Sequence, residues 1–161
     1  MPALEDQGQV LTQSLAIVEY LEETHPQPAL LPAAALDRAR VRAIAQAIAC
    51  DIHPVNNLRV LQYLTRELGA SEAQKNAWYR HWIGVGLQAV EAMLAGDART
   101  GAFCHGDTPG LADCCLVPQV FNARRFGCEL SAMPTVLRIA DHCAGLEAFR
   151  RAAPEAQPDA E

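Results

Sequence analysis

A proline stands inside the longest helical run of this sequence, and it constrains the fold more than any other residue. The stretch is Asp51-Ile-His-Pro-Val-Asn-Asn-Leu-Arg-Val-Leu-Gln-Tyr-Leu64. Pro54 has no N–H, and its ring strikes the preceding turn, so the helix must kink or restart there. Asn56 and Asn57 follow, and their amides compete for backbone hydrogen bonds in a helix interior. His53, Asn56, Asn57 and Arg59 thus gather where local helix stability has been given up. Such violations concentrate at functional or strained sites. The same residues also suit a kinked core helix with capped ends.

The chain before this run divides at Pro26, Pro28 and Pro32, which mark a linker. Residues Pro2 to Leu11 read as a β-hairpin turning at Asp6-Gln7-Gly8. Thr12 offers an N-cap for a helix over Gln13–Glu23, with Leu15, Val18 and Leu21 on one face. A lone two-stranded hairpin is marginal in water, so this piece is expected to complete a larger sheet begun by a preceding segment.

After the linker everything reads as helix. Asp37–Asp51 and Val55–Leu68 form one long broken helix. Ser71-Glu-Ala-Gln74 is a capping box opening a helix to about Leu94, with Trp78, Trp82, Val85 and Leu87 among its apolar positions. Gly84 and Gly86 weaken it, which suits close packing against a neighbour. A loop through Gly101–Gly106 leads to a helix from Gly110 to about Arg124. Pro134 starts another at its first position, running to His142, and a short one spans Leu146–Arg151. The fold class is mostly α: a helical bundle preceded by a β-β-α piece.

Composition narrows the function. The 161 residues make one domain, or one domain with a fragment of another. A net charge of −6 argues against broad binding to nucleic acid or acidic membrane. The acidic excess lies partly in a mobile or surface-draped tail, 153–161. Lys75 is the only lysine among 13 Lys and Arg residues. Arginine is the better carboxylate clamp, so this bias hints at anionic small molecules, as it also fits coding bias. The six cysteines form no C-x-x-C pair, and their spacings do not suit zinc. Buried, reduced thiols in a cytoplasmic protein are the expectation.

This order of elements resembles a cytosolic glutathione transferase: a thioredoxin-like domain, a linker, then an all-α domain. The zeta class, which includes the maleylacetoacetate and maleylpyruvate isomerases, fits best. The resemblance is carried by Leu11-Thr-Gln-Ser-Leu-Ala-Ile-Val-Glu-Tyr-Leu21, by Asp51-Ile-His-Pro-Val-Asn-Asn-Leu-Arg-Val-Leu61, by Phe103–Asp107 with Leu111-Ala-Asp113, and by Cys115–Phe126 and Gln157-Pro-Asp159. The Gln-Ser pair marks only the superfamily, whereas His-Pro-x-Asn-Asn-Leu-Arg and Leu-Val-Pro-Gln-Val-x-Asn-Ala-x-Arg-Phe are far more specific. On this basis residues 1–28 are a partial thioredoxin-like, glutathione-binding domain. Residues 29–161 are the all-helical C-terminal domain.

The resemblance implies a reaction and a cofactor. Glutathione adds as a thiolate to the cis double bond of a small diketo dicarboxylate, the bond rotates, and elimination leaves the trans isomer. That chemistry needs a stable thiolate and cations for two carboxylates and an enolate. By resemblance, Gln13 and Ser14 take the γ-glutamyl carboxylate at a helix N-terminus, where free N–H groups and the dipole favour an anion. On sequence alone they are equally a plain helix start. Met1 precedes the family's cis-proline position, here Pro2, and offers its backbone to the cysteinyl unit. His53 and Asn57, four apart and on one face if helical geometry persists past Pro54, resemble the contacts to the glycyl end. Helix capping is the alternative. Arg59 and Arg125 resemble the substrate-carboxylate clamp, with Asn122 orienting Arg125 and Arg124 left on the surface. A homodimer is implied.

Three departures accompany the likeness. The family's first strand, helix and second strand have no counterpart here, nor does the Ser-Ser-Cys segment whose serine stabilises the thiolate, so the catalytic residue is left unassigned. Met1 stands where the family has Val, as a GTG start codon read as methionine would give. A longer natural protein is therefore expected. Gly110 stands where the family's capping box has Ser or Thr, so Gly110→Thr is expected to raise the melting temperature, with Asp113 still reaching the cap N–H. Two other readings remain: a general glutathione transferase or dehalogenase of small α-halo acids, and a transferase-like module that binds partners without catalysis.

Overall fold

The computed structural model describes residues 2–158 and residue 160. Met1 and Asp159, which carry part of the resemblance, lie outside the described residues, and with Met1 goes the expected bond to Pro2.

Strands β1 (Ala3–Asp6) and β2 (Gln9–Thr12) form an antiparallel hairpin, with Leu4 opposite Leu11. Gln7 and Gly8 turn the chain with positive φ, the geometry of a tight hairpin turn. Helix α1 (Ser14–Thr24) packs back on both strands. Tyr20 Oη donates to Asp6 Oδ2 at 2.5 Å, tying helix to hairpin. Thr12 is not the N-cap expected of it. It ends β2, and Gln13 takes the cap position with no side-chain cap bond.

The linker is held by carboxylates rather than by apolar packing alone. Glu22 accepts from the backbone N–H groups of Leu30 (2.7 Å) and Leu31 (3.1 Å). Arg42 donates two hydrogen bonds to Glu19, at 2.6 and 2.8 Å, joining α1 to α2 (Ala35–Gln46).

The remaining helices are α3 (Leu58–Arg66), α4 (Glu72–Ala95), α5 (Leu111–Arg125), α6 (Pro134–Ala144) and α7 (Glu147–Ala152). Helix α5 lies against α2 and α6, and α4 against α6. Tyr79, Ile83, Leu87, Val90 and Leu94 are the buried stripe of α4, at the 3.6-residue period. Full burial of each aliphatic member contributes about 1.5–3 kcal/mol. Trp82 and Val85, two of the apolar positions of this helix, are exposed. The Ser71–Gln74 capping box is formed. Pro134 opens α6, and Glu91 of α4 accepts from the N–H groups of Thr135 and Val136.

Asp113 organises the start of α5. It is 1% exposed, and it accepts from Cys104 N (2.9 Å) and Gly110 N (2.8 Å). Leu30 O accepts from Leu111 N at 2.9 Å. That contact overturns the expectation for Gly110→Thr. A Cβ on Gly110 would stand 2.8 Å from Leu30 O. The substitution therefore lowers the melting temperature, because the linker carbonyl already caps the helix where a threonine would enter.

Arg40 makes a comparable lock on the α4–α5 loop. Its guanidinium donates to Asp97 Oδ2 and Thr100 Oγ1 and to the carbonyl of Cys104. Arg99 and Arg40 together hold the Asp97 carboxyl well below the usual carboxylate range. Of the cysteines, Cys104 and Cys143 are buried as expected, Cys115 and Cys128 are partly buried, and Cys50 and Cys114 are exposed.

Candidate functional site

Gln13 and Ser14 stand where the hairpin hands over to α1. Gln13 has φ 72° and ψ 117°, a region that L residues occupy only under constraint. The first turn of α1 has no acidic residue and no side-chain cap. Its N–H groups and the positive end of the dipole are left for water or an external anion. Both side chains are exposed. A carboxylate would fit this position without displacing a protein partner.

The second group is the turn around Pro54. Ahead of it α2 widens into a π-helical turn over Ala47–Ile52, in which His53 N donates to Ile48 O at 2.9 Å. A short 3₁₀ turn, Pro54–Asn56, follows. His53 is in the αR region, which a following proline disfavours. The kink foreseen from Pro54 is therefore a widening, a tightening and a restart. Asn57 is extended (φ −64°, ψ 147°), and its Oδ1 accepts from Arg59 N at 3.2 Å as the N-cap of α3. Helical geometry does not persist past Pro54. The argument that spacing alone sets His53 and Asn57 on one face fails, and the capping alternative describes Asn57.

Arg59 is exposed on the first turn of α3, and Arg125 is exposed at the end of α5. Among the described residues neither guanidinium forms an ion pair or a hydrogen bond, and Asn122 does not bond Arg125. Arg124 is exposed and pairs with Asp141 at 2.7 Å, as a surface residue would.

The middle of α4 is the common support of the last two groups. Trp78 Nε1 donates to Val55 O at 2.8 Å, inside the 3₁₀ turn. The next residue, Tyr79, stacks on Phe126 with ring centroids 3.8 Å apart. Burial raises the Tyr79 pKa, and the nearby Arg125 charge opposes that shift. The 53–59 turn and Arg125 are thus fixed to adjacent residues of one helix. Residues Gln13 and Ser14 belong to the hairpin side, where α1 packs on β1 and β2.

Burial pushes the Cys115 and Cys143 thiols up to about 12 and raises Cys104 further. These three are protonated near neutral pH and are not nucleophiles. Among the described residues no group of three His, Cys, Asp or Glu side chains is placed to hold a metal ion. No described helix is long and apolar enough to cross a membrane.

Sequence reasoning singled out Gln13, Ser14, His53, Asn57, Arg59 and Arg125 as candidates, together with Met1, which lies outside the described residues. It passed over the support given by Trp78 and missed Asn56 as a buried side chain. Asn56 is 8% exposed, and its Oδ1 has no partner among the described residues. The signal for Gly86 was present, since a glycine in a long helix often marks a close approach.

The chain matches the family model of the glutathione S-transferase N-terminal domain over residues 1–29. It is 55% identical to the maleylpyruvate isomerase of Ralstonia sp., over 99% of this chain and 75% of that protein. A holo structure of maleylpyruvate isomerase, described as a bacterial zeta-class glutathione transferase, matches all of this chain and 76% of its own, with 55% identity and a TM-score of 0.98. A structure of maleylacetoacetate isomerase from Anaeromyxobacter dehalogenans, with bound dicarboxyethyl glutathione and citrate in the active site, matches at 45% identity and a TM-score of 0.90, covering 99% of this chain and 73% of that one. Relatives this similar, along nearly the whole of its length, show that the chain belongs to the maleylacetoacetate and maleylpyruvate isomerase family, the zeta class of the glutathione transferases.

Proposed function

We propose that this protein is a glutathione-dependent cis–trans isomerase of a small diketo dicarboxylate, maleylpyruvate or maleylacetoacetate. The 55% identity to a maleylpyruvate isomerase over 99% of the chain carries this reading. When bound, glutathione supplies the thiol that adds to the cis double bond and leaves after rotation.

This chain's residues bind and orient. The uncapped first turn of α1, at Gln13 and Ser14, takes the γ-glutamyl carboxylate on its free N–H groups. His53 and Asn57 face the glycyl end, and Met1 the cysteinyl backbone. Asn57 keeps its Nδ2 for this role, because only its Oδ1 is used in the cap. Arg59 and Arg125 hold the substrate carboxylates. Their guanidinium groups have no internal partner among the described residues, so an external carboxylate takes nothing away from the fold. Arginine's planar fork suits that task. Residues 1–28 and 29–161 are the two domains in this reading, and the protein is a cytoplasmic homodimer.

Calorimetric titration with glutathione tests the binding half. The wild type is expected to bind, and Ser14→Ala or Gln13→Ala to weaken binding severalfold with no change in melting temperature. A wild-type protein that ignores glutathione would overturn the reading.

A further inference from the structure

We propose that Gly86 and Trp78 are positioning residues for the substrate end of the site, acting by fixing the π-to-3₁₀ turn that carries His53, Asn57 and Arg59. The inference rests on the functional reading above. Neither residue is among the ligand contacts proposed above.

Two contacts from one helix hold the turn on either side of Pro54. The π-helical turn ends at Ile52, which is 3% exposed. A Cβ on Gly86 would lie 2.6 Å from Ile52 Cδ1 and closer still to Cγ1. Ile52 is β-branched and buried, so it has little freedom to move aside. Only a glycine lets α4 and the π turn approach this closely. Three residues beyond Ile52, Val55 O receives the Trp78 indole N–H. Trp78 and Gly86 are eight residues apart on α4, about two turns on the same face.

The turn is not self-sufficient. His53 is αR before a proline. Asn56 buries an Oδ1 without a partner among the described residues, and its Nδ2 reaches Ile52 O only at 3.4 Å. A buried unpaired acceptor is a cost that the surrounding packing must offset. The segment keeps this geometry because α4 holds it. Arg59 lies in the first turn of the helix that Asn57 caps, so a displaced turn carries the guanidinium with it.

Gly84 supplies the control. It lies two residues away on α4, and a Cβ there meets nothing within 4 Å. Gly84→Ala, Gly86→Ala and Trp78→Phe would be compared in the full protein. Readouts are kcat and KM for the dicarboxylate, hydrogen exchange of residues 47–59, and melting temperature. Gly84→Ala is expected to raise the melting temperature and leave kinetics unchanged. Gly86→Ala and Trp78→Phe are expected to raise KM for the dicarboxylate by roughly tenfold or more, since a displacement near 1 Å can cost about a hundredfold in rate. Exchange should quicken in residues 47–59 and not in α5. Adding Ile52→Ala to Gly86→Ala makes room for the new methyl and should restore KM, which general destabilisation would not allow. A fall in melting temperature with KM and local exchange unchanged overturns the proposal. If the wild type is inactive the functional reading fails, and local exchange alone then decides whether α4 holds the turn.

Discussion

Gln13 holds a backbone conformation that its own chemistry opposes, with φ 72° and ψ 117°. Such strain costs about 1–3 kcal/mol. Glycine would relieve it, offset by about 1 kcal/mol of extra chain entropy. Gln13→Gly is therefore expected to melt no lower than the wild type, and by thermal denaturation up to about 1 kcal/mol more stable, while losing glutathione affinity. A clear loss of stability would show that the side chain, not the site, fixes the conformation. Arg59 is the residue on which the substrate claim depends most. A charge-assisted hydrogen bond contributes about 1.5–3 kcal/mol, so Arg59→Ala should raise KM for the dicarboxylate by roughly 10- to 100-fold. Arg59→Lys should recover only part of this, because an ammonium cannot make the bidentate contact. The identities of these residues were legible in the sequence. Their backbone states were not, since a positive φ at glutamine and an extended Asn57 follow from how neighbouring elements meet.

At the scale of elements, the joints between helices are carboxylates placed on backbone N–H groups or on arginines. Asp113 holds two points of the α4–α5 loop at once, and Asp113→Ala would leave the N–H groups of Cys104 and Gly110 without their acceptor. A loss of about 3 kcal/mol in denaturant unfolding is expected. The joint between α1 and α2 responds to pH. Arg42, bonded to Glu19, lowers its pKa from the ordinary 4.5. A depressed carboxylate pKa adds stability that is present above the unfolded pKa and lost as pH falls through the folded one. Wild type and Arg42→Gln should therefore differ in melting temperature near neutral pH and converge as pH falls well below 4.5. A gap that persists in acid would mean the joint does not depend on the charge of Glu19. Helices α4, α5 and α6 were readable from caps and prolines within a few residues. The π turn was not, because Pro54 says only that a regular helix cannot continue. It does not say whether the chain tightens, widens or breaks. The inner face of α4 needs the period to be counted: composition alone does not separate the exposed Trp82 and Val85 from the buried stripe of Tyr79 to Leu94.

Across the whole molecule, the hairpin and α1 offer an uncapped helix start, and the helical part offers Arg59 and Arg125, neither of which has an ion-pair or hydrogen-bond partner among the described residues. Each half of that arrangement has a plain structural explanation by itself. Together, in a chain of this family, they support the proposed site for glutathione and a dicarboxylate. The most direct test is the rate of cis–trans isomerisation of maleylpyruvate and maleylacetoacetate, with and without reduced glutathione. It should be run on the chain from Met1 and on a version extended through the upstream reading frame. The account predicts turnover that requires glutathione and falls at least about tenfold in Arg59→Ala. Turnover that is indifferent to glutathione, or its absence from both versions, would contradict it.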